Sequence, residues 1–467
     1  MPVFHSLLAV IFLTAIPYGS NRPWAWSLAS LLIALLGFAW AVTFLLNSQK
    51  TPFSRHGKAL IDVLVLFSVA IGWIFIQASV PFVGQMAHPL WQMSGELIPS
   101  TSAYISLAPQ DSLTVLMRFL SYAVVFWLTL SYCQDTVKAK RVFYAIMWAG
   151  FVCSVWGLVM HLGGLKPEDT PYFNDVTGTF ISRNHFATYA GLSLLCALAL
   201  LSDGVTSAAS YNVGGNLGLQ RFLENLIVRS IWPALIFFVT GTALILSHSR
   251  GGFLSGILGL VILLLALNIN KRSRNIYLLW FFVAFVVIGG IVFYVSSDGL
   301  LDRFNGQGLN DESREKVAEL TWNAVLSNPW TGFGSGSFEE AFTLYKTIDV
   351  AGTPSVPLLW DFAHNLYLEN MFELGIPAAA VLFYCILRLA TVCVRGLLVR
   401  KRNWIYPATG LAATCLVAFH SYVDFSMAIP AVPYTYFLLM GAACAQSFSS
   451  RKKAKSKRQP LPIEEPL

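Results

Sequence analysis

Charge is scarce in this sequence. Asp, Glu, Lys and Arg make up 12% of the 467 residues, about half the share that a water-soluble domain carries. Apolar residues make up 56% and aromatic ones 14%. A soluble chain of this size needs more charge to cover its surface than is present here, which excludes an ordinary cytosolic enzyme. So apolar a chain is neither disordered nor collagen-like. Cysteine is sparse as well. The seven cysteines all fall in apolar runs or at their ends, so no disulfide framework or zinc-ligand spacing exists. Met1 to Phe4 lacks the basic n-region of a signal peptide and no small-residue cleavage site follows, so the first apolar run reads as a retained helix. What remains is a chain whose surface faces lipid.

Apolar runs near the roughly 20 residues needed to span a bilayer recur at 4–17, 24–46, 60–82, 113–132, 142–163, 183–202, 229–248, 251–269, 276–296, 364–394, 404–424 and 430–448. The expectation is an all-α, polytopic membrane protein of about 12 transmembrane helices. Its parts are helices 1–9 over 1–296, a large loop over 297–363, helices 10–12 over 364–448 and a basic tail over 449–467. With the N-terminus in the cytoplasm, the cytoplasmic loops and tail hold 20 Lys and Arg and the opposite loops hold 6. The positive-inside rule therefore puts both termini in the cytoplasm. The net charge of +7 leans on the tail Arg451–Arg458, which reads as an anchor at anionic headgroups, not as a nucleic-acid site.

The loop 297–363 is long enough to demand a role. It carries ten acids against four bases, and Trp322, Trp330, Phe333, Phe338, Phe342, Leu344, Tyr345 and Trp360 argue for folded structure. Residues 311–327 read as a helix with Val317, Leu320, Ala324 and Val325 on one face, stopped by Asn328-Pro329. Gly332-Phe-Gly-Ser-Gly336 looks like a phosphate cradle but lacks the following Lys-Ser/Thr and a preceding strand. A flexible turn is expected there, followed by a second short helical stretch from about Ser337. Three further segments open on the same, external side: Gly178–Ala187, Ser247–Gly252 and Asp361–Gly375. They bring Arg183, Arg250 and His364 to the face that already holds Arg314, where arginine is normally disfavoured.

Gly178-Thr-Phe with Arg183-Asn184-His185-Phe-Ala, Ser249-Arg250-Gly251-Gly252, Asn328-Pro-Trp-Thr-Gly332-Phe-Gly-Ser-Gly336 and His364-Asn365-Leu-Tyr-Leu with Glu373-Leu-Gly375 together resemble the bacterial O-antigen ligase/polymerase superfamily. The resemblance is specific over about 178–377. It implies a GT-C-like, lipid-donor membrane glycosyltransferase of the bacterial inner membrane with a periplasmic active site. Such enzymes take a glycan from undecaprenyl pyrophosphate to a lipid A–core, to another repeat unit or to a protein. Ligase and polymerase are not separated by these motifs. A transporter or lipid flippase is the alternative from another class, with Asp62 and Glu373 as its intramembrane charges.

A transfer of this kind loses a diphosphate, whose developing charge needs fixed donors. Arginine stays charged and grips phosphate oxygens in pairs. Arg250 is the first choice, with Arg183 and Arg314 completing a cationic pocket and Gly251 and Gly252 admitting the phosphate to the backbone. The alternatives are an interface anchor for Arg250 and a surface ion pair with Asp311, Glu315 or Glu319 for Arg314. His364 is the candidate general base. With Asp361 as helix cap it would sit in the first helical turn, where the dipole favours the neutral ring and the Asp361 carboxylate acts the opposite way, so the sign of the shift is open. His185 and His248 are its rivals. Asn184, Asp361, Asn365, Glu369 and Glu373 are expected to support the site. No cofactor and no metal cluster is indicated, so the expected mechanism is a metal-independent, inverting displacement.

Overall fold

The computed structural model describes residues 2–46, 57–81, 86–166, 170, 172–209, 216–269, 283, 287, 308–353, 356–357, 359–400 and 402–448. The expected span 276–296 (apart from Val283 and Val287), the first part of the large loop and the basic tail lie outside them.

The chain is all-helical: α1 (Pro2–Thr14), α2 (Pro23–Leu46), α3 (Ile61–Ser79), α4 (Pro89–Leu97), α5 (Pro109–Tyr132), α6 (Thr136–Leu162), α7 (Arg183–Ala209), α8 (Asn216–Ile245), α9 (Arg250–Ile269), α10 (Gly308–Ser327), α11 (Phe338–Phe342), α12 (Ile348–Ala351), α13 (Leu366–Leu374), α14 (Ile376–Val399), α15 (Ile405–His420) and α16 (Ala431–Ser447). The strand pair Gly352–Thr353 and Val356–Pro357 is the one sheet among the described residues. Eight described helices are long and apolar enough to cross a membrane, and α1 and α15 are shorter apolar helices. This is a polytopic membrane protein. Its centre is α7, whose apolar window is 100% buried, against 17% for α2 and 22% for α3. A helix that is apolar all round belongs inside, while those with bare apolar faces suit contact with lipid. Helices α6, α8, α9 and α15 pack around α7. Small residues allow the approach: a Cβ on Gly150 would come within 2.2 Å of Ser193, and one on Gly191 within 2.8 Å of Leu416.

Polar contacts mark the two ends of the bundle. At one end Gln446 donates to the Cys133 carbonyl (2.6 Å), Asn403 to Thr136 (2.8 Å) and Lys140 to Asp203 (2.7 Å). Asp62 in α3 meets Arg388 of α14 at 2.6 Å, so this charge has a structural partner. At the other end lie the segments 172–182, 246–250, 361–366 and 421–430, joined by Val176 N–H to Leu246 O and Leu366 N–H to Ser421 O, both 2.9 Å.

The loop helix α10 buries Val317, Ala324 and Val325 in a small core of its own with Phe333, Phe338, Phe342 and Phe372. Two expectations need correction. The run 364–394 is not one helix: it breaks at Gly375, which has φ +77°, with Pro377 opening α14. The cause is the glycine turn, which lies against the break. Gly334 N–H bonds to Glu373 O (2.9 Å) and Ile376 N–H to Pro329 O (2.8 Å). The turn itself is not a loose connector. A Cβ on Gly334 (φ +104°) would stand 2.5 Å from Ser106 Cα, and one on Gly332 2.3 Å from Glu373 O.

Candidate functional site

His364 lies just before α13. The cap of that helix is Asn365, whose side chain accepts from Tyr367 N–H (3.0 Å) and Leu368 N–H (3.1 Å). This corrects the expected cap at Asp361, which is exposed instead. His364 is therefore outside the first turn, in the left-handed region at φ +52°, and a helix-dipole effect on its ring does not apply. A left-handed conformation in a non-glycine residue needs outside support. Glu369 supplies some: its carboxylate accepts the Ala363 N–H at 3.0 Å. Phe425 supplies more, stacking on Phe362 (4.0 Å between centroids) and meeting the His364 ring edge-on (5.0 Å).

Under the His364 ring is Asp424, 1% exposed. Its Oδ1 stands 3.8 Å from His364 Nδ1 and accepts from Asn184 Nδ2 at 3.2 Å. Its Oδ2 accepts from the Ser426 hydroxyl at 2.6 Å and stands 3.7 Å from His185 Nε2. Burial opposes ionisation of this carboxyl, but His364, His185, His420 and Ser426 outweigh it and hold it well below the usual carboxylate range. Asn184 also accepts from Ser249 Oγ (2.8 Å), which ties the start of α7 to the turn before Arg250. Thr188 hydrogen-bonds the His420 ring behind it.

A second carboxylate lies beside the first cluster. Asp175 pairs with Arg183 Nη1 and with His248 Nδ1, each at 2.7 Å. Burial works against its charge, yet His248 and Arg183 prevail and its carboxyl is lowered. Arg183 also lies over the Tyr172 ring, 5.2 Å from its centroid. Arg250 is exposed at the first residue of α9. The glycines after it are filled by protein: a Cβ on Gly251 would reach Val423 (2.9 Å) and His420 (3.2 Å), and one on Gly252 would reach Ala187 (2.3 Å). They seat α9 closely against α7 and the 420–423 turn.

Thus the contacts run from His364 through Asp424, Asn184 and Ser249 to Arg250, and through Asp175 to Arg183 from the same turn. Arg314 is half-buried on α10 and, among the described residues, lies outside this network; Lys316 and Glu319 of the same helix pair at 2.8 Å. Glu373 takes hydrogen bonds from the backbone N–H of Gly336 and Phe338. The cradle-like glycine turn does face an acid, but the acid is the protein's own Glu373. Burial pushes Glu373 up to about 7 against these bonds and Arg118, and burial with the nearby Glu373 pushes Glu369 up as well.

Sequence reasoning did not select Asp175, Asp424 or Arg118. Arg118 lies inside α5, over the Trp26 ring (5.2 Å) and near the Ala428 carbonyl (3.5 Å). A charge inside an apolar run is itself a signal, and Asp424 closes the apolar run 404–424. Asp175 carried no such mark.

No curated protein matches the chain. Residues 235–383 match the family model described as O-antigen ligase. That interval holds Arg250 and His364, and the match supports the O-antigen ligase/polymerase superfamily.

Proposed function

We propose that the protein moves a glycan from undecaprenyl pyrophosphate to an acceptor hydroxyl on a lipid A–core or a growing polysaccharide, at the periplasmic face of the bacterial inner membrane. The observation that carries this reading is the junction at Asp424, which brings the His364 segment, the start of α7 and the Arg250 turn to one end of the bundle. In the proposed reaction His364 takes the proton of the acceptor hydroxyl. The freed oxygen attacks the anomeric carbon as the bond from that carbon to the diphosphate oxygen breaks, with inversion. The electron pair leaves with the diphosphate, where Arg250, Arg183 and Arg314 offset its charge. Arg183 keeps one guanidinium nitrogen on Asp175 and has others left to offer. The 20-to-6 division of Lys and Arg between alternate loops supports the periplasmic orientation.

The test is His364→Ala or Arg250→Ala in the native host, with surface polysaccharide run on a gel and protein level checked. Loss of long chains from the lipid core with accumulation of lipid-linked polymer identifies a ligase. Single repeat units left on the core identify a polymerase. Unchanged polysaccharide with both variants expressed defeats the proposal. Purified protein assayed with chelator tests metal independence: activity lost and restored by Mg²⁺ counts against this mechanism.

A further inference from the structure

His364 is not the only histidine at this end that meets a buried carboxylate. His248 does so at shorter range, with Nδ1 2.7 Å from Asp175 Oδ1. The carboxyl is held ionised by its neighbours, so its oxygen accepts and Nδ1 carries the proton. That fixes the ring and leaves Nε2 as its working atom. Nε2 is enclosed and has no hydrogen-bond partner among the described residues. A buried polar atom left in this state calls for an explanation.

Holding the turn in place does not explain it. The backbone bond from Val176 N–H to Leu246 O (2.9 Å) already joins the two segments. The fold also keeps His248 in a left-handed conformation, φ +50°, two residues before Arg250. The surroundings favour an anion. Lys166 donates to the carbonyls of Tyr172 and Asp175 and to Thr177 Oγ1, Arg183 binds Asp175, and Arg250 follows in the chain. Arg183 thus stands on the Asp175 carboxylate and Lys166 on its backbone carbonyl, with Arg250 two residues beyond His248.

We infer that His248 is a catalytic residue that acts as an imidazolium: Nδ1–H stays on Asp175, which orients the ring from behind, while the protonated Nε2 donates a hydrogen bond to an oxygen of the departing diphosphate. The inference rests on the transfer reaction proposed above and divides its labour. His364 on Asp424 serves the acceptor hydroxyl; His248 on Asp175 serves the leaving group. No proton need be transferred: the imidazolium Nε2–H shares its hydrogen with an oxygen whose negative charge grows as the glycosyl bond breaks.

Two substitutions separate this role from a clamp. His248→Asn places an amide near Nδ1, keeping the bond to Asp175 and deleting Nε2. His248→Gln places an amide near Nε2 and gives up Nδ1. The full-length chain in detergent is assayed for transfer from an undecaprenyl-pyrophosphate-linked glycan, with inorganic pyrophosphate as a competing product and thermal melting as the check on folding. His248→Asn is expected to lower kcat about 100-fold, the effect of removing one donor to a developing oxyanion, and to weaken inhibition by pyrophosphate. His248→Gln is expected to retain most of both. Any other pattern overturns the inference, above all a normal His248→Asn or a loss confined to His248→Gln, which identifies a clamp. A wild-type chain that transfers nothing from this donor overturns the reaction proposed above, and this inference with it. Normal transfer by the wild type and by His248→Asn overturns this inference alone.

Discussion

Asp424 offers the sharpest separation of stability from catalysis. It is 1% exposed and receives Asn184 Nδ2 at 3.2 Å and Ser426 Oγ at 2.6 Å, with His364 at 3.8 Å and His185 at 3.7 Å. Asp424→Ala strands two donors and removes the charge that the histidines face. Breaking a buried charged cluster from one side costs about 3–5 kcal/mol. Asp424→Asn keeps the shape and can be accommodated. Its carbonyl oxygen takes the place of Oδ1 opposite Asn184, and its amide donates to the Ser426 oxygen, whose hydroxyl can turn. A loss of about 1 kcal/mol is expected, the worth of one imperfect hydrogen bond. Activity should rank otherwise. With no carboxylate beside Nδ1, His364 loses its orienting charge, and removing such a partner costs about 10⁴ in kcat in a comparable histidine–carboxylate pair. Here the separation is 3.8 Å, and about 10² is the smaller effect expected. Thermal melting in detergent and a glycan-transfer assay on the same preparations read the two quantities. Asp424→Asn with full activity refutes the role of the carboxylate. Asp424→Asn as unstable as Asp424→Ala refutes the hydrogen-bond scheme. Because the folded carboxyl lies below its unfolded value, its stabilisation is complete above about pH 4 and is lost as pH falls through the folded value.

Glu373 should act in the opposite sense. Its carboxyl is pushed up to about 7 from about 4.3 when unfolded, so stability is greatest below about pH 4 and declines as pH rises toward 7, by at most about 1.4 kcal/mol per pH unit. Glu373→Gln keeps an acceptor for the Gly336 and Phe338 N–H groups and should flatten that slope in melting curves taken from pH 4.5 to 8; an unchanged slope would refute the assignment. Gly334→Ala should cost about 3 kcal/mol, since φ is +104° and the new Cβ meets Ser106 Cα at 2.5 Å. A wild-type melting temperature for that variant would show that the turn yields.

The membrane helices were legible because lipid imposes a length and a composition on each of them. Each expected run within the described residues overlaps helix, with 364–394 divided into two. The break at Gly375 was hidden for the same reason: apolar residues continue through 376–394, and composition does not distinguish one helix from two. His364 and the arginines stood out as charges on the side that the loop charges lead one to expect outside. Their partners did not. Asp424 and Asn184 are 240 residues apart, and Asp175 and His248 are 73 apart, so only the packing of α7 against α9 and α15 reveals that one carboxylate serves several segments. Asp361 and Asn365 show the same limit at short range. Both residue types cap helices, and the choice between them moved His364 out of the first turn.

The glycine turn bears on where the diphosphate is expected to go. Three positive-φ glycines present backbone N–H groups in the manner of an anion nest, but Glu373 already takes the N–H of Gly336 and Phe338. A phosphate would have to displace this buried carboxyl group. The turn is instead what shapes the α13–α14 break: with Gln77, it binds the Glu373 carbonyl (2.9 Å from Gly334 N, 3.0 Å from Gln77 Nε2). The break in turn sets where α13 begins, and with it the strained residue His364. Arg183 of the α7 start and His248 of the turn before Arg250 both lie on Asp175. On charge alone that is the end of the site an incoming diphosphate would find, and the His364–Asp424 side is left for the hydroxyl that replaces it.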